Sequence, residues 1–251
     1  MNIALVGFGK MGNMIYSLVS ETDRVVAIID PYSKNDKVSA KELTLHSLNG
    51  ADVVIDFSHP SSIESNIEFY IENSVPCVIG TTGWYDNLDK YKELSKKYEN
   101  SSLIYSGNFS LGVALFREIV KFASSLLSKT SIYDVFLNEI HHKDKADSPS
   151  GTSLLLAEAV RDNFDGKDTI VSEELKRKIE PNEIHCSSTR GGYITGTHSV
   201  VFDSQVDSIE LVHRAKNREG FAKGALIAAA WIKDKTGFYN LDDLVNTLLN
   251  N

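Results

Sequence analysis

The sequence contains few cysteines, few prolines and no long apolar run. Its two cysteines, Cys77 and Cys186, lie far apart and outside any Cys-x-x-Cys pattern, which is typical of a reducing compartment and argues against a cysteine-based metal site. A transmembrane helix needs about 20 consecutive apolar residues, and no stretch approaches that length, so we expect no membrane partner. The apolar run at the N-terminus is also too short for a signal-peptide core, so we expect a cytoplasmic protein.

The chain also lacks an excess of positive charge. It carries 26 Lys and Arg against 34 Asp and Glu, for a formal net charge of -8. This charge would repel a phosphate backbone, and no long basic run offsets the repulsion. We therefore expect no nucleic-acid partner. With 251 residues, 42% of them hydrophobic and 24% charged, the composition is that of a globular protein with one large or two modest domains.

The N-terminal part of the sequence alternates between strand and helix patterns. The apolar run Ile3–Val6 predicts a buried parallel strand, and apolar residues at helical spacing from Met11 to Val19 predict the helix after it. Residues 24–29 predict the second strand of this βαβ unit. Further strands are predicted at residues 52–57, 76–79 and 102–105, with helices between them. This pattern indicates an α/β fold with an N-terminal doubly wound (Rossmann-type) parallel sheet.

The pattern changes after Asn108. A long helix is predicted at about residues 111–127, and turn-like residues separate the strands that follow, so we expect antiparallel pairing and a second domain of α+β type. These strands are predicted at residues 132–140, 183–188, 194–202 and 208–213. Two final helices, at residues 218–233 and 241–249, are expected to pack back on the first domain. We therefore predict one domain of residues 1–108 plus 217–251 and another of residues 109–216.

A glycine motif, Gly7-Phe8-Gly9-Lys10-Met11-Gly12, lies between the first predicted strand and its helix. In that setting glycines permit a tight turn and close approach of the backbone to a pyrophosphate at the helix N-terminus. Asp30 ends the next strand, where a carboxylate accepts hydrogen bonds from ribose hydroxyls and repels a 2′-phosphate. The motif predicts a dinucleotide site that favours NADH. Ser33 and Lys34 lie just beyond Asp30 and could bind a 2′-phosphate, so NADPH stays open.

Two more loops follow predicted strands of the first domain. Gly80-Thr81-Thr82-Gly83 ends the fourth strand, and Ser106-Gly107-Asn108-Phe109-Ser110 ends the fifth. Open α/β sheets bind ligands at the carboxyl ends of their strands, so these loops are expected to border the nicotinamide. Glycines and hydroxyl residues are common in any loop, and the loops alone are weak evidence.

A third group of polar residues extends from Glu139 to Ser153. Ser150-Gly151-Thr152 precedes a predicted helix, and the free backbone N–H groups and positive dipole end of a helix start suit a carboxylate. An anionic substrate fits this position. Histidine titrates near neutral pH and lysine brings a compact positive charge, so one of the adjacent residues His141 and His142 is expected to donate a proton, and Lys145 to hold the anion.

We expect no metal at this position. On an extended segment His141 and His142 point to opposite faces, which places them poorly for sharing one ion. The segment also lacks the cysteines and the histidine spacings that zinc sites use.

The sequence resembles the dihydrodipicolinate reductase family, whose members are also named 4-hydroxy-tetrahydrodipicolinate reductases. The resemblance extends nearly from end to end and is most specific between Glu139 and Thr152. The matching motifs are the Gly7–Gly12 loop, Val54-Ile55-Asp56-Phe57-Ser58, Gly80-Thr81-Thr82-Gly83, Asn108-Phe109-Ser110-x-Gly112-Val113, Glu139-x-His141-His142-x-x-Lys145-x-Asp147-x-Pro149-Ser150-Gly151-Thr152, Arg190-x-Gly192, Gly196-x-His198 and Phe221-Ala222-x-Gly224-Ala225. Ser148 and Ser153 stand where the family usually has alanine.

The resemblance implies an oxidoreductase that transfers a hydride from NADH or NADPH to 4-hydroxy-tetrahydrodipicolinate in diaminopimelate and lysine biosynthesis. It implies that His141 is the general acid and that Lys145 takes part in protonation or holds the substrate. His142, Ser150, Gly151 and Thr152 would bind the two carboxylates of this small-molecule dicarboxylate. The residues implied to line the dinucleotide are Gly7, Phe8, Gly9, Lys10, Met11, Gly12, Asp30, Lys34, Gly80, Thr81, Thr82, Asn108, Phe109 and Ser110. The second domain would bind substrate and form a homotetramer.

Two other functions compete with this interpretation. One is a different nicotinamide dehydrogenase with the same two-domain plan, such as an aldehyde or amino-acid dehydrogenase. Cys77 and Cys186 lie in predicted strands without an obvious activating neighbour, which argues against an acylating aldehyde dehydrogenase. The other is a non-catalytic NADH-binding sensor, and the intact set of His141, Lys145 and Ser150-Gly151-Thr152 argues against it.

Overall fold

The structure is a computed structural model that describes residues 1–250. The chain divides into two compact units. Unit 1 comprises Met1–Leu111 together with the C-terminal segment from Glu219, and unit 2 comprises Gly112–Arg218. In the part of the chain that the structure describes, no helix is both long and apolar enough to span a membrane.

Unit 1 is an α/β unit built on one sheet. Its elements are β1 (Asn2–Val6), α1 (Lys10–Leu18), β2 (Arg24–Ile29), β3 (Val53–Asp56), α2 (Ile63–Glu72), β4 (Cys77–Ile79), α3 (Leu88–Lys97) and β5 (Ser102–Tyr105), and, after the elements of unit 2, α6 (Glu219–Ile232), β11 (Gly237–Asn240) and α7 (Leu241–Leu249). A short 3-10 turn, Tyr85–Asn87, precedes α3.

The sheet of unit 1 has six strands in the order β11-β5-β4-β3-β1-β2, and every neighbouring pair is parallel. This confirms the predicted doubly wound parallel sheet. The chain moves outward in opposite directions from β1 and β3, so these strands flank the topological switch point where open α/β sheets bind ligands. The loops that follow β1 and β3 therefore meet at the same edge of the sheet.

The central strands of unit 1 are apolar because helices cover both faces. Residues 3–6 of β1 and 53–55 of β3 are all buried, as continuous apolar runs in parallel sheets are expected to be. The edge strand β11 was not predicted from the sequence. It is only four residues long and half-buried, so it gives neither an apolar run nor a clear alternation.

Unit 2 combines two helices with a five-stranded sheet. Its elements are α4 (Leu111–Ser128), β6 (Asp134–His141), α5 (Gly151–Arg161), β7 (Thr169–Val171), β8 (Glu183–Arg190), β9 (Gly196–Asp203) and β10 (Ser208–Ala215). The sheet order is β10-β9-β6-β8-β7. The predicted helices and four longer strands are all present within a few residues, whereas the short strand β7 was missed.

The expectation of a wholly antiparallel sheet in unit 2 is wrong. Strands β10, β9 and β6 pair antiparallel, but β8 is parallel to both β6 and β7. The chain leaves β6 at its C-terminal end, passes through α5, and re-enters the sheet at the end where β6 begins, and such a crossover is what parallel pairing requires. The sheet is therefore mixed.

Strand β6 places polar side chains on the core face of unit 2. Val135 and Leu137 are buried in the hydrophobic core, and the two-residue period of a strand puts Glu139 and His141 on the same face. Both are buried, at 0% and 7% exposure. A carboxylate and an imidazole thus extend the buried face of β6 at its C-terminal end.

Candidate active site

The glycine loop after β1 is closely packed at Gly7 and Gly12 and open at Gly9. A Cβ on Gly7, which has φ +88°, would lie 2.3 Å from the carbonyl oxygen of Phe57, and a Cβ on Gly12 would lie 2.2 Å from the carbonyl oxygen of Gly7. A Cβ on Gly9 would meet nothing within 4 Å. The first and third glycines let the loop, β3 and α1 pack together, and the second leaves exposed backbone that a ligand can approach.

The N-terminus of α1 suits a negatively charged group. The helix begins at Lys10 after Gly9, without a hydrogen bond from a capping side chain and without an acidic residue in its first turn. Its first N–H groups and positive dipole end are therefore not neutralised by the helix's own side chains. Lys10 is exposed at this end and Met11 is half-buried. Together with the open Gly9 backbone, these features fit a dinucleotide pyrophosphate.

Asp30 ends β2 and fixes the glycine loop. One carboxylate oxygen accepts the N–H of Phe8 at 2.7 Å, and the other accepts the N–H groups of Tyr32 and Ser33, each at 2.8 Å. Burial opposes ionisation, but these hydrogen bonds outweigh it and lower the pKa of Asp30. Asp30 is thus a charged carboxylate at the position where a ribose is expected.

Positive charge lies close to Asp30. The Lys41 Nζ donates to the carbonyl oxygens of Asp30, at 3.2 Å, and of Ser33. Lys34 follows in the same loop and is exposed. The loop after β2 therefore presents a carboxylate with the Lys41 ammonium beside it and an exposed Lys34 four positions along the chain. These groups could bind either a ribose hydroxyl or a 2′-phosphate.

A buried carboxylate that the sequence reasoning did not single out organises the loops after β3 and β4. Asp56 is fully buried and accepts hydrogen bonds from the Ser58 N–H at 2.8 Å, the Asn66 amide at 2.9 Å and the Tyr70 hydroxyl at 2.8 Å. The Thr81 hydroxyl also donates to it at 3.3 Å. Asp56 therefore ties both loops to helix α2.

The predicted residues of the loop after β4 point in different directions. The Thr81 side chain is buried and donates a hydrogen bond to Asp56, whereas Thr82 is exposed. A Cβ on Gly80 would lie 2.1 Å from the Phe57 ring. Gly80 and Thr81 thus shape the loop, and Thr82 is the member whose side chain can reach a ligand.

The loop after β5 is held by its own hydrogen bonds. The Ser106 hydroxyl donates to the Asn108 carbonyl oxygen at 2.9 Å, and the Asn108 side-chain oxygen accepts the Ser110 N–H at 2.9 Å. Phe109 is buried at 1% exposure and its ring lies edge-on to that of Phe57. Like Phe8, which is also buried, Phe109 can contact a dinucleotide through its backbone but not through its side chain.

In unit 2, Glu139 is the centre of the polar cluster around β6. Its Oε1 accepts the Ser150 N–H at 2.9 Å, the Ser188 hydroxyl at 2.8 Å and the Arg190 Nη2 at 2.7 Å, and its Oε2 accepts the Ser150 hydroxyl. Burial opposes ionisation of Glu139, but the hydrogen bonds from Ser150, Arg190 and Ser188 prevail and lower its pKa to about 2. Glu139 is therefore a fixed negative charge.

His141, the predicted proton donor, lies beside this charge. Its Nδ1 is 3.3 Å from the Glu139 Oε2, and its ring lies 5.0 Å from that of His198 in an edge-to-face arrangement. Burial lowers the pKa of His141, Glu139 acts against that shift, and the positive charges of Lys145 and Arg190 reinforce it.

His198 on β9 was not assigned a role from the sequence. It is 5% exposed, and its Nδ1 lies 3.7 Å from the Glu139 Oε2 and 3.4 Å from the Ser153 hydroxyl oxygen. Burial and the neighbouring His141 lower its pKa to about 4, so His198 is neutral at neutral pH.

Lys145 is paired with a neighbouring carboxylate. Its Nζ lies 2.7 Å and 2.9 Å from the two carboxylate oxygens of Asp147, an ion pair that the sequence reasoning did not anticipate. Arg190 reaches the same loop by donating to the carbonyl oxygen of Asp147. An anionic substrate that binds Lys145 must therefore compete with Asp147 or join the pair.

The start of α5 differs in one respect from the sequence expectation. Both the N–H and the hydroxyl of Ser150 are bound to Glu139, so in this structure they are committed to the protein. Gly151 is exposed, with nothing within 4 Å of the position of a Cβ, and Thr152 beside it is half-buried. His142 is also half-buried, and its N–H donates to the Ile194 carbonyl oxygen at 2.7 Å. Ser150 therefore fixes the start of α5, and Gly151 and Thr152 are the residues there that a ligand can approach.

The sheet register explains why the sequence did not reveal this cluster. Glu139 lies opposite His198 on β9 and Ser188 on β8, and His141 lies opposite Arg190. The available signal was the period of β6, which puts Glu139 and His141 on one face. The pairing with residues about 50 to 60 positions away was not visible.

Glu139, His141 and His198 each offer one ligand atom, and these atoms lie within 4.8 Å of one another. The set joins an ionised carboxylate to two imidazoles whose pKa values are lowered, which is a donor combination that zinc accepts. The sequence expectation of no metal considered only His141 and His142.

The chain is similar to one family over almost its whole length. The family model "Dihydrodipicolinate reductase, N-terminus" matches residues 1–109, and "Dihydrodipicolinate reductase, C-terminus" matches residues 112–245. The 4-hydroxy-tetrahydrodipicolinate reductase of Christiangramia forsetii is 38% identical over 252 residues, covering 100% of both chains. That of Clostridium tetani is 38% identical over 252 residues, covering 98% of this chain and 97% of the relative.

A solved structure shares the fold. The dipicolinate-bound dihydrodipicolinate reductase from Paenisporosarcina sp. TG-14 superposes with a TM-score of 0.78 at 23% sequence identity, covering 96% of this chain and 98% of that chain. At this identity the likeness is one of fold.

Proposed function

The chain belongs to the dihydrodipicolinate reductase family, and from that premise we propose how its residues divide the work of the reaction. The protein is an NAD(P)H-dependent oxidoreductase of lysine and diaminopimelate biosynthesis. It reduces 4-hydroxy-tetrahydrodipicolinate, or its dehydrated form dihydrodipicolinate, to tetrahydrodipicolinate, and reduction of the hydroxylated form also releases water.

We propose that His141 is the general acid. When bound, the reduced nicotinamide supplies a hydride to a conjugated cyclic imine, and a proton must relieve the negative charge that develops on the substrate. His141 is a buried imidazole with Glu139 on one side and Lys145 on the adjoining loop. A positioned acid contributes about 10²- to 10⁴-fold to such a step. The observation that carries this assignment is the placement of His141 beside the fixed carboxylate of Glu139 and near the charge of Lys145.

We propose that the substrate carboxylates bind at the start of α5 and at Lys145. The first turn of α5 contains no acidic residue, and Gly151 leaves its backbone open to a ligand. Thr152 and His142 add polar side chains nearby, and the Ser150 cap holds the helix start in place. Because the whole protein is negatively charged, a dianionic substrate needs such a local cationic site.

We propose that the dinucleotide binds at the carboxyl edge of the unit 1 sheet, with its pyrophosphate at Gly9 and the N-terminus of α1. The ionised Asp30 would accept hydrogen bonds from the adenosine ribose and favour NADH. Lys34 and Lys41 lie on the same loop and can bind a 2′-phosphate, so NADPH is also accepted. It is accepted less well than NADH because the Asp30 carboxylate repels that phosphate. Thr82 and the loop from Asn108 to Ser110 would border the nicotinamide.

We propose a cytoplasmic homotetramer assembled through unit 2. Exposed apolar residues line one side of α4 at helical spacing, and others lie on the outer face of the unit 2 sheet. Those on α4 are Leu115, Ile119, Phe122 and Leu126, and those on the sheet are Phe136 and Ile209. Phe122 is 70% exposed. Exposed apolar surface of this kind marks protein–protein interfaces, and sedimentation velocity would give the assembly directly.

The test is the loss of reduced-nicotinamide absorbance when the protein meets substrate prepared freshly from pyruvate and aspartate semialdehyde by a synthase. Parallel runs with NADH and NADPH would give the ratio of the two specificity constants. We expect His141→Gln to lower kcat by at least about 100-fold while the dinucleotide Kd stays unchanged. Unchanged turnover in His141→Gln would refute the acid assignment. Dinucleotide binding by the wild-type protein without any oxidation would indicate a sensor instead.

A further inference from the structure

We propose that Glu139 is the positioning residue of the proposed acid: it orients the His141 ring through Nδ1 and stabilises the protonated imidazole, so that the proton leaves from Nε2. This inference rests on the assignment of His141 as the general acid. It adds a residue that acts on the reaction through His141 and does not itself touch the substrate.

The fold holds Glu139 in one orientation. Glu139 and His141 share a face of β6, and the carboxylate is fully buried. Its two oxygens together accept four hydrogen bonds, from the Ser150 N–H and hydroxyl, Ser188 and Arg190. These donors come from α5 and β8, two elements separate from β6. A carboxylate held from two other elements cannot rotate away from its neighbour, which is the property that a positioning group needs.

His141 has one acceptor within reach of Nδ1. This atom is buried and finds no hydrogen-bond partner among residues 1–250, and the Glu139 Oε2 lies 3.3 Å from it. A small rotation of the ring would convert the contact into a charge-assisted hydrogen bond once Nδ1 carries a proton. An imidazole whose Nδ1–H faces a carboxylate has its tautomer and orientation fixed.

The opposite edge of the ring is kept clear by a glycine. A Cβ added to Gly196 on β9 would lie 3.0 Å from the His141 Nε2 and 3.3 Å from its Cδ2. A side chain at position 196 would therefore displace the ring from its position beside Glu139. The family motif Gly196-x-His198 thus places the small residue beside the Nε2 edge and the His198 ring 5.0 Å from the His141 ring.

Five charged or titratable groups face His141, and Glu139 is the one that most favours its protonated form. Burial lowers the pKa of His141, Glu139 raises it, Lys145 and Arg190 lower it, and Asp147 raises it slightly. His198, whose own pKa is lowered to about 4, is neutral and adds no charge at neutral pH. Without the charge of Glu139, the remaining near neighbours are mainly positive, and the protonated His141 becomes harder to form.

A metal ion is the competing interpretation of Glu139, His141 and His198. A cation bound to all three would have to share the Glu139 carboxylate with the Arg190 guanidinium, which lies 2.7 Å from Oε1, and with the Ser150 hydroxyl on Oε2. Two positive groups on one buried carboxylate repel each other strongly. The contacts of Glu139 therefore favour a positioning role over a metal ligand.

The experiment compares the pH dependence of kcat in the wild-type protein and in Glu139→Gln, with Glu183→Gln as the matched control. Glu183 is also a strand glutamate of unit 2 with an arginine partner, Arg177 at 2.6 Å, and its pKa is also lowered to about 2, but no histidine lies beside it in the ion pairs that the structure records. In Glu139→Gln we expect kcat to begin falling at a lower pH. A shift of one pKa unit gives a loss of about 10-fold at a pH above both pKa values and almost none at a pH well below both. Glu183→Gln should keep the wild-type profile.

Three results would overturn the proposal. The first is a loss of kcat in Glu139→Gln that is equal at every pH, because that is what a purely structural role predicts. The second is an unchanged kcat, and the third is the same shift in Glu183→Gln. If His141→Gln loses turnover while Glu139→Gln keeps it, only the positioning role fails; if His141→Gln keeps turnover, the acid assignment fails with it.

A measurement on the wild-type protein keeps the proposal testable should Glu139→Gln fail to fold. Two-bond ¹H–¹⁵N spectra of histidine-labelled protein report which nitrogen of each neutral imidazole carries the proton. We expect neutral His141 to be protonated at Nδ1, facing Glu139. A neutral ring protonated at Nε2 would refute the proposal.

Discussion

The charge of Glu139 should make unit 2 lose stability in acid by an amount that the structure allows to be worked out. Glu139 has an ordinary pKa of 4.5 and a pKa of about 2 in the folded protein. Because the folded value is lowered, the stabilisation is complete well above pH 4.5 and is lost as the pH falls towards 2. The shift corresponds to about 3 kcal/mol of unfolding free energy at pH 7, of which about 2 kcal/mol is lost by pH 3.

The perturbation is Glu139→Gln, whose side chain cannot titrate. We expect the variant to be less stable than the wild-type protein at pH 7 and to approach it at pH 3. Other carboxylates whose pKa values are lowered, such as Glu183, titrate equally in both proteins and cancel in the difference. The quantity to measure is therefore the difference in unfolding free energy between the two proteins at pH 7, 5, 4 and 3.

The two buried thiols give a separate probe of each unit. Cys186 lies on β8 in unit 2 and Cys77 on β4 in unit 1, and both are free and buried. Urea unfolding can be followed at each pH by a short pulse of dithiodipyridine, which reacts with thiols in acid, and by mass spectrometry of the two peptides. Labelling of Cys186 should show the pH-dependent difference, and labelling of Cys77 should not. The reasoning would be refuted if the urea midpoints of Cys186 labelling fell by the same amount with decreasing pH in the wild-type protein and in the variant.

Three further predictions concern other residues of the two units. Lys145→Ala should raise KM for the substrate about 10-fold or more and lower kcat without changing the dinucleotide Kd; an unchanged KM in initial-rate measurements would mean that Lys145 is only structural. Gly7→Ala should lower the melting temperature and dinucleotide affinity, because its Cβ would lie 2.3 Å from the Phe57 carbonyl oxygen, whereas Gly9→Ala should weaken binding alone; calorimetry and titration would contradict this if both variants melted early. Asp56→Asn should destabilise unit 1 by about 2 kcal/mol, because the new amide NH2 group would face hydrogen-bond donors that the carboxylate accepts. If the variant kept the wild-type urea midpoint of Cys77 labelling, this prediction would be wrong.

The parallel sheet of unit 1 could be predicted because its signals are local. The runs at residues 3–6 and 53–55 are apolar throughout, the glycine motif follows the first of them, and helical spacing separates the strands. Each signal depends on residues within one turn or one strand of each other. The edge strand Gly237–Asn240 was missed because its four half-buried residues form no such pattern.

The mixed sheet of unit 2 could not be predicted in the same way. Each of its strands was visible, but the direction of pairing depends on the crossover through α5, and nothing in Glu183–Arg190 itself distinguishes a parallel from an antiparallel neighbour. Pairing is decided by which strands the helices bring together, so the antiparallel expectation failed for β8.

The sequence by itself determined the fold of unit 1, the glycine loop with Asp30, and the segment from His141 to Thr152, because in each case the chemistry lies in residues that are neighbours along the chain. Only the tertiary structure brought Ser188, Arg190 and His198 to Glu139, committed Ser150 to that carboxylate, and paired Lys145 with Asp147. The physical reason is that strand register joins residues far apart in sequence, and a buried carboxylate takes its properties from the donors around it.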